Sequence, residues 1–196
     1  MNSQIKRSIK FSLTIAVITF VLAAVFSVIS SSILNQVMWL IGTIVVFFIV
    51  LLGVIFDMLG IASTAADEKP FHAMAAEKVP GAKQAVYIIR NADKFASFCN
   101  DVIGDISGIV SGTASAIVVL QIANLMGQGD GSSTQITLGV IFTSLVAALT
   151  VGGKAVGKFL AINSSTQIIF FVAKVIAFIE TKFKIKLLPS SDTKNK

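Results

Sequence analysis

Between Lys10 and Lys69 the chain carries no lysine or arginine, and between Lys94 and Lys154 it again carries none. Each basic-free stretch, residues 11–68 and 95–153, is nearly 60 residues long. A helix needs about 20 residues to cross the hydrocarbon core of a bilayer. Each stretch therefore has room for two crossings joined by a short turn. Lysine and arginine collect on the cytoplasmic side of membrane proteins. That rule predicts a multi-pass protein of the cell (plasma) membrane with its N-terminus, its 65–95 segment and its C-terminus in the cytoplasm. The turns at 31–36 and 127–134 then face outward.

Composition points the same way. Of 196 residues, 55% are hydrophobic and 13% charged, and the formal net charge is +6. The mean hydropathy is +0.86. A soluble fold of this size has more surface than so few charges can cover. Disorder, a nucleic-acid-binding domain and an ordinary soluble enzyme are excluded. The single cysteine, Cys99, cannot form an internal disulfide.

Apolar runs place the crossings at 11–30, 37–60, 100–126 and 135–151, the last being short. The first resembles a signal peptide, but its apolar stretch exceeds the usual 7–15 residues and lacks an A-x-A end, so it is read as a retained anchor helix. Trp39 suits an interfacial anchor. The expected fold is all-α, with four transmembrane helices plus juxtamembrane or re-entrant helices. Residues 62–95 divide at Val79-Pro80-Gly81 into two short helices, with Pro70 in the first turn of one. In the other, Ala82, Ala85, Val86 and Ile89 recur at helical spacing. Either these helices lie on the membrane surface, or residues 65–95 form a docking platform for a membrane-protein partner. The segment 164–188 reads as an interfacial or re-entrant helix, held to anionic headgroups by Lys182, Lys184 and Lys186. Residues 189–196 read as a disordered tail.

Asn100, Asp101 and Asp105 lie at the inner end of the third crossing. An Asp at mid-bilayer costs on the order of 3 kcal/mol. Asp101 and Asp105 are four apart and share a helix face, with Gly104, Gly108 and Gly112 near it and Ser107, Ser111 and Ser115 beside it. Carboxylates, an amide and hydroxyls are hard oxygen ligands that suit Mg2+. The same glycine and serine spacing also marks close helix packing. Asp57 is a further acidic candidate. His72 has no partner at ligand spacing and is assigned to the surface, and Cys99 to packing. No nucleophile–base pair or phosphate loop occurs, so no enzyme is expected.

From Val37 to about Leu188 the order of parts resembles the transmembrane domain of the CNNM/CorC (CorB-like) magnesium transporter family. Gly81-Ala82-Lys83 and Asn91-Ala92-Asp93-Lys94-Phe95 are similar to the family's juxtamembrane motifs. Gly104-Asp105-Ile106 stands where the family has Gly-Asn-Asn, and Thr150-Val151-Gly152-Gly153-Lys154 where its last crossing ends in Gly-Glu. The family's Glu is Gly153 here, its Ser-Glu pair has no clean counterpart near Leu59–Ser63, and none of the 196 residues corresponds to its CBS pair. The resemblance divides the chain into an extra anchor helix and outer turn at 1–36, a CNNM/CorC-like domain at 37–188 with juxtamembrane helices at 62–95 and 164–188, and the tail.

Two functions follow. One is Mg2+ transport by a homodimer joined through Gly104, Gly108 and Gly112, with Asp105, Gly152, Ser107, Ser111 and Asp101 around the ion. The other is a non-transporting membrane scaffold or regulatory partner that keeps the architecture alone. In both, the bilayer is the solvent and nucleic acid has no part.

Overall fold

The computed structural model describes residues 2–127 and 131–183, without the side chains of residues 2–8 and 11. The expected tail, Lys184, Lys186 and the middle of the 127–134 turn lie outside the described residues. Those described are helical, and no strand occurs among them. The order is α1 (Asn2–Leu34), α2 (Trp39–Ala65), α3 (Lys69–Ala76), α4 (Ala82–Arg90), α5 (Ala92–Ser97), a π-helical turn (Phe98–Gly104), α6 (Asp105–Leu125), α7 (Ser133–Asn163) and α8 (Ser165–Phe183).

Four helical stretches are long and apolar enough to cross a membrane: Ser12–Leu34, Trp39–Ala65, Ala92–Leu125 and Ser133–Asn163. All four run past a sequence-predicted bound, the third and fourth by the most. The third begins at Ala92 because α5, the π-helical turn and α6 form one continuous helix. The fourth runs on to Asn163 instead of stopping near Val151. Gly152 and Gly153 each cost a helix only about 1 kcal/mol relative to alanine, and no proline follows to break it. Several hydroxyls inside these helices are satisfied locally, whereas Thr19 Oγ1 and Ser30 Oγ of α1 are buried with no hydrogen-bond partner among the described residues. The hydroxyls of Thr43, Ser107, Ser115, Thr143 and Thr150 each donate to the carbonyl four residues earlier. Such bonds let a polar residue sit in an apolar medium.

The chain forms two compact units. In the first, drawn from Met1–Phe56 and Asn100–Ala155, α6 is the central helix. Val102, Ile106 and Val110 pack with Ile15, Leu22 and Ala23 of α1 and Ile49 of α2. Further along, Ala114 and Val118 of α6 join Leu34, Val46, Val50 and Val146. The hydrophobic window of the third stretch is 44% buried, against 22% for the second, 6% for the fourth and none for the first.

In the second unit, drawn from Asp57–Cys99 and Val156–Lys196, α4 packs between α3 and α8. Its core holds Phe71, Ile88 and Ile169 among the alanines Ala62, Ala85, Ala161 and Ala173. Pro70 lies in the first turn of α3, where its missing N–H costs nothing. The expected turn at Val79-Pro80-Gly81 separates α3 from α4. Gly81 has φ +90°, and a Cβ there would lie 2.9 Å from the Lys174 backbone nitrogen and 3.1 Å from the Ala173 carbonyl carbon. Only glycine gives both the left-handed backbone and the close approach to α8.

Gly81→Ala is therefore expected to destabilise the protein by about 1–3 kcal/mol. Gly127 also has positive φ, but open space around its Cβ position, so Gly127→Ala should cost less. Thermal unfolding in detergent compares them, and equal losses would leave the contact with α8 without effect.

Candidate functional site

The polar residues of the third long helix occupy two different surfaces. On the surface facing α2, a Cβ at Gly53 would lie 2.9 Å from the Ser107 Cβ and 3.6 Å from the Gly104 carbonyl oxygen. Eleven residues earlier, about three turns, a Cβ at Gly42 would lie 2.9 Å from a Val118 methyl. The two helices thus meet through glycines on α2 and small residues on α6. Ser111 and Ser115 are buried on α6, at 3% and 0% exposure. The Ser107 hydroxyl donates to Ile103 O at 2.7 Å and that of Ser111 to Gly108 O at 2.9 Å. The serine stripe is a packing surface, with each hydroxyl proton committed to its own helix.

Asp101 and Asp105 are both exposed. Asp101 lies in the π-helical turn, and Asp105 is the first residue of α6. The turn was not foreseen, since no residue pattern in 98–104 distinguishes a π-helical turn from an α-helical one. Such turns are rare and recur at functional sites. Asn100 Oδ1, in the same turn, is buried with no hydrogen-bond partner among the described residues.

The predicted glycine stripe divides. Gly104 is buried beneath Gly53, whereas Gly108 and Gly112 are exposed, with no heavy atom within 4 Å of either Cβ position. Gly152, in α7, is likewise exposed with open space around it. Of the five expected ion ligands, Ser107 and Ser111 thus lie on the packed side of α6, Asp101 and Asp105 on exposed positions, and Gly152 on an open stretch of α7. Asp57 is half-buried. Among the described residues, no three His, Cys, Asp or Glu side chains group closely enough to hold a metal.

Gln121 was missed. Its Nε2 donates to Leu34 O at 2.8 Å and to Val37 O at 3.2 Å. It thereby satisfies carbonyls that the end of α1 and the following turn leave open. The available signal was an amide near the end of an apolar helix, where a polar side chain needs a partner.

In the second unit, Glu68 gathers the exposed His72 and Arg90. Arg90 Nε donates to Glu68 Oε1, and His72 Nε2 lies 2.7 Å from the same oxygen. The hydrogen bond from Arg90, then that from His72, holds the Glu68 carboxyl below its usual pKa of 4.5. The stabilisation is present above the ordinary Glu pKa and is lost as pH falls through the lower folded-state value. His72 takes the surface position expected for it, as part of an ion-pair cluster.

No protein-family model matches the chain, and no curated protein or solved structure was found to match it.

The seam between α2 and α6 has a direct test. Gly53→Ala forces the two helices apart and should cost about 1–3 kcal/mol. Ser107→Gly in the same chain should recover part of that loss in detergent thermal unfolding. A neutral Gly53→Ala would show that the close approach is not required.

Proposed function

We propose that the chain is a CNNM/CorC-like membrane module that carries a divalent cation, Mg2+, across the cell membrane as a homodimer. The observation that carries this reading is the π-helical turn Phe98–Gly104, which holds the unpaired Asn100 Oδ1 and Asp101 and leads directly into Asp105. Three hard oxygen donors within six residues, at one end of an otherwise apolar helix, are the ligand type Mg2+ takes, usually with several of its waters retained. Carboxylates in such a helix are expensive and are the default mark of an ion path. The serines of α6 fit packing better than coordination, so Asp105 and Asp101 are the ligands of this proposal, with Ser107, Ser111 and Gly152 secondary.

The placement of lysine and arginine supports cytoplasmic termini and a cytoplasmic second unit. The open glycines Gly108 and Gly112 fit close approach by a second copy. Helix α8, with Lys174, Glu180 and Lys182 in its sequence, is assigned to the interface.

The second reading is a scaffold or regulatory partner that does not transport. It is favoured by the commitment of the Ser107 and Ser111 hydroxyls to their own helix and by the open surroundings of Gly152. Mg2+ uptake into proteoliposomes separates the two. Asp105→Ala is expected to reduce uptake at least tenfold while the protein keeps its thermal midpoint. Wild-type protein with no flux, or flux unchanged in the variant, would overturn the transport reading.

A further inference from the structure

Within the second unit a cleft of about 680 Å3 opens between the α3–α4 turn and the C-terminal half of α8. Pockets that take small ligands run from about 300 to 1,000 Å3, so the space suits a compact polar group. Lys78 and Lys83 line it together with Gln84, Glu180 and Thr181, while Val79, Pro80 and Ala177 supply apolar wall. Both lysines are exposed. The Glu180 carboxylate accepts a hydrogen bond from Gln84 Nε2 at 2.8 Å, a bond that ties α4 to α8 across the cleft. The lining therefore holds two cations against one carboxylate.

The geometry at Lys78 is unusual. α3 ends in a Schellman turn, in which Val79 N–H donates to Met74 O at 2.9 Å and Lys78 N–H to Ala75 O at 3.1 Å. The left-handed residue of such a turn is commonly glycine. Here it is Lys78, with φ +58°. A backbone that costs about 1–2 kcal/mol for a residue with a Cβ is kept at the cleft with a long cationic side chain in place.

Helix α8 shows what lies beside the cleft. Ala177 and Thr181 face it. About 100° further round the helix are Phe171, Val175 and Phe178, exposed by 69%, 43% and 63%. Lys174 borders this apolar stripe and Lys182 ends it one turn beyond Phe178, with the Lys174 ammonium 4.3 Å from the Phe170 ring centroid and that of Lys182 5.6 Å from the Phe178 centroid. An apolar stripe edged by lysines is the pattern of a helix lying in a membrane interface. Seated there, α8 brings the cleft to headgroup level.

We propose that this cleft binds the phosphate of an anionic phospholipid headgroup, held between Lys78 and Lys83 while the acyl chains run along the aromatic stripe of α8. The proposal rests on the interfacial seat assigned to α8 and is independent of whether the protein transports an ion.

The full chain in detergent is challenged with palmitoyl-oleoyl phosphatidylglycerol, palmitoyl-oleoyl phosphatidylcholine or inorganic phosphate, and its thermal midpoint is read. Phosphatidylglycerol is expected to raise the midpoint by several degrees, and the other two are not. The double variant Lys78→Asn, Lys83→Gln should lose most of that shift while keeping the lipid-free midpoint, since asparagine tolerates the left-handed backbone. A full shift in the variant overturns the site, and an equal shift from inorganic phosphate overturns its assignment to a lipid. A nitroxide at Phe178→Cys tests the seat of α8 separately. Greater accessibility to oxygen than to a water-soluble nickel complex supports it, and the reverse overturns both the seat and the lipid assignment that rests on it.

Discussion

The contact on which the first unit depends is the approach of α2 to α6 at Gly53 and Gly42. In a bilayer no hydrophobic force drives one apolar helix onto another, because the lipid tails are as apolar as leucine. Association then comes from close van der Waals packing and from hydrogen bonds. Two glycines about three turns apart on α2, set against Ser107 and Val118, permit that packing. The remaining contacts of α6 extend from it: α1 along Val102, Ile106 and Val110, and α7 through Val146. Gln121 adds polar bonds that tie the α1–α2 turn to the same helix.

The second unit is held by different means. Its helices α3, α4 and α5 are short, and its core is made of alanines around Phe71, Ile88 and Ile169. Small side chains allow backbones to approach, as Gly81 does against α8. Polar bonds then link the elements: Gln84 to Glu180, Glu68 to Arg90, and Ser165 to the last carbonyl of α2. Such bonds suit a region with access to water and headgroups, where each polar group has an alternative partner.

Much of the helical order was legible because its causes are local. Gaps in lysine and arginine, apolar runs and the Val79-Pro80-Gly81 break each act over a few turns. The extents of the third and fourth long helices were less legible. Gly152 and Gly153 look like a stop only if their modest helix cost is taken for a break, and a π-helical turn leaves no residue signature. The polar site was the hardest to read. Spacing placed Asp101 and Asp105 on one side of a helix and the serines nearby, but it could not say that Ser107 packs against α2. That contact depends on Gly53, more than 50 residues earlier in the chain. The partners of Gln121 were hidden for the same reason, being the carbonyls of Leu34 and Val37.

The central claim is that two basic-free hairpins cross the membrane and leave all three basic segments on one side. It is tested most directly by single cysteines placed at Ser133 and at Lys78 in turn and probed with a membrane-impermeant thiol reagent. Cys99, at 2% exposure, is shielded from such a reagent. Labelling of position 133 in intact cells, and of position 78 only after permeabilisation, is the expected result. Labelling of position 78 in intact cells would contradict the claim.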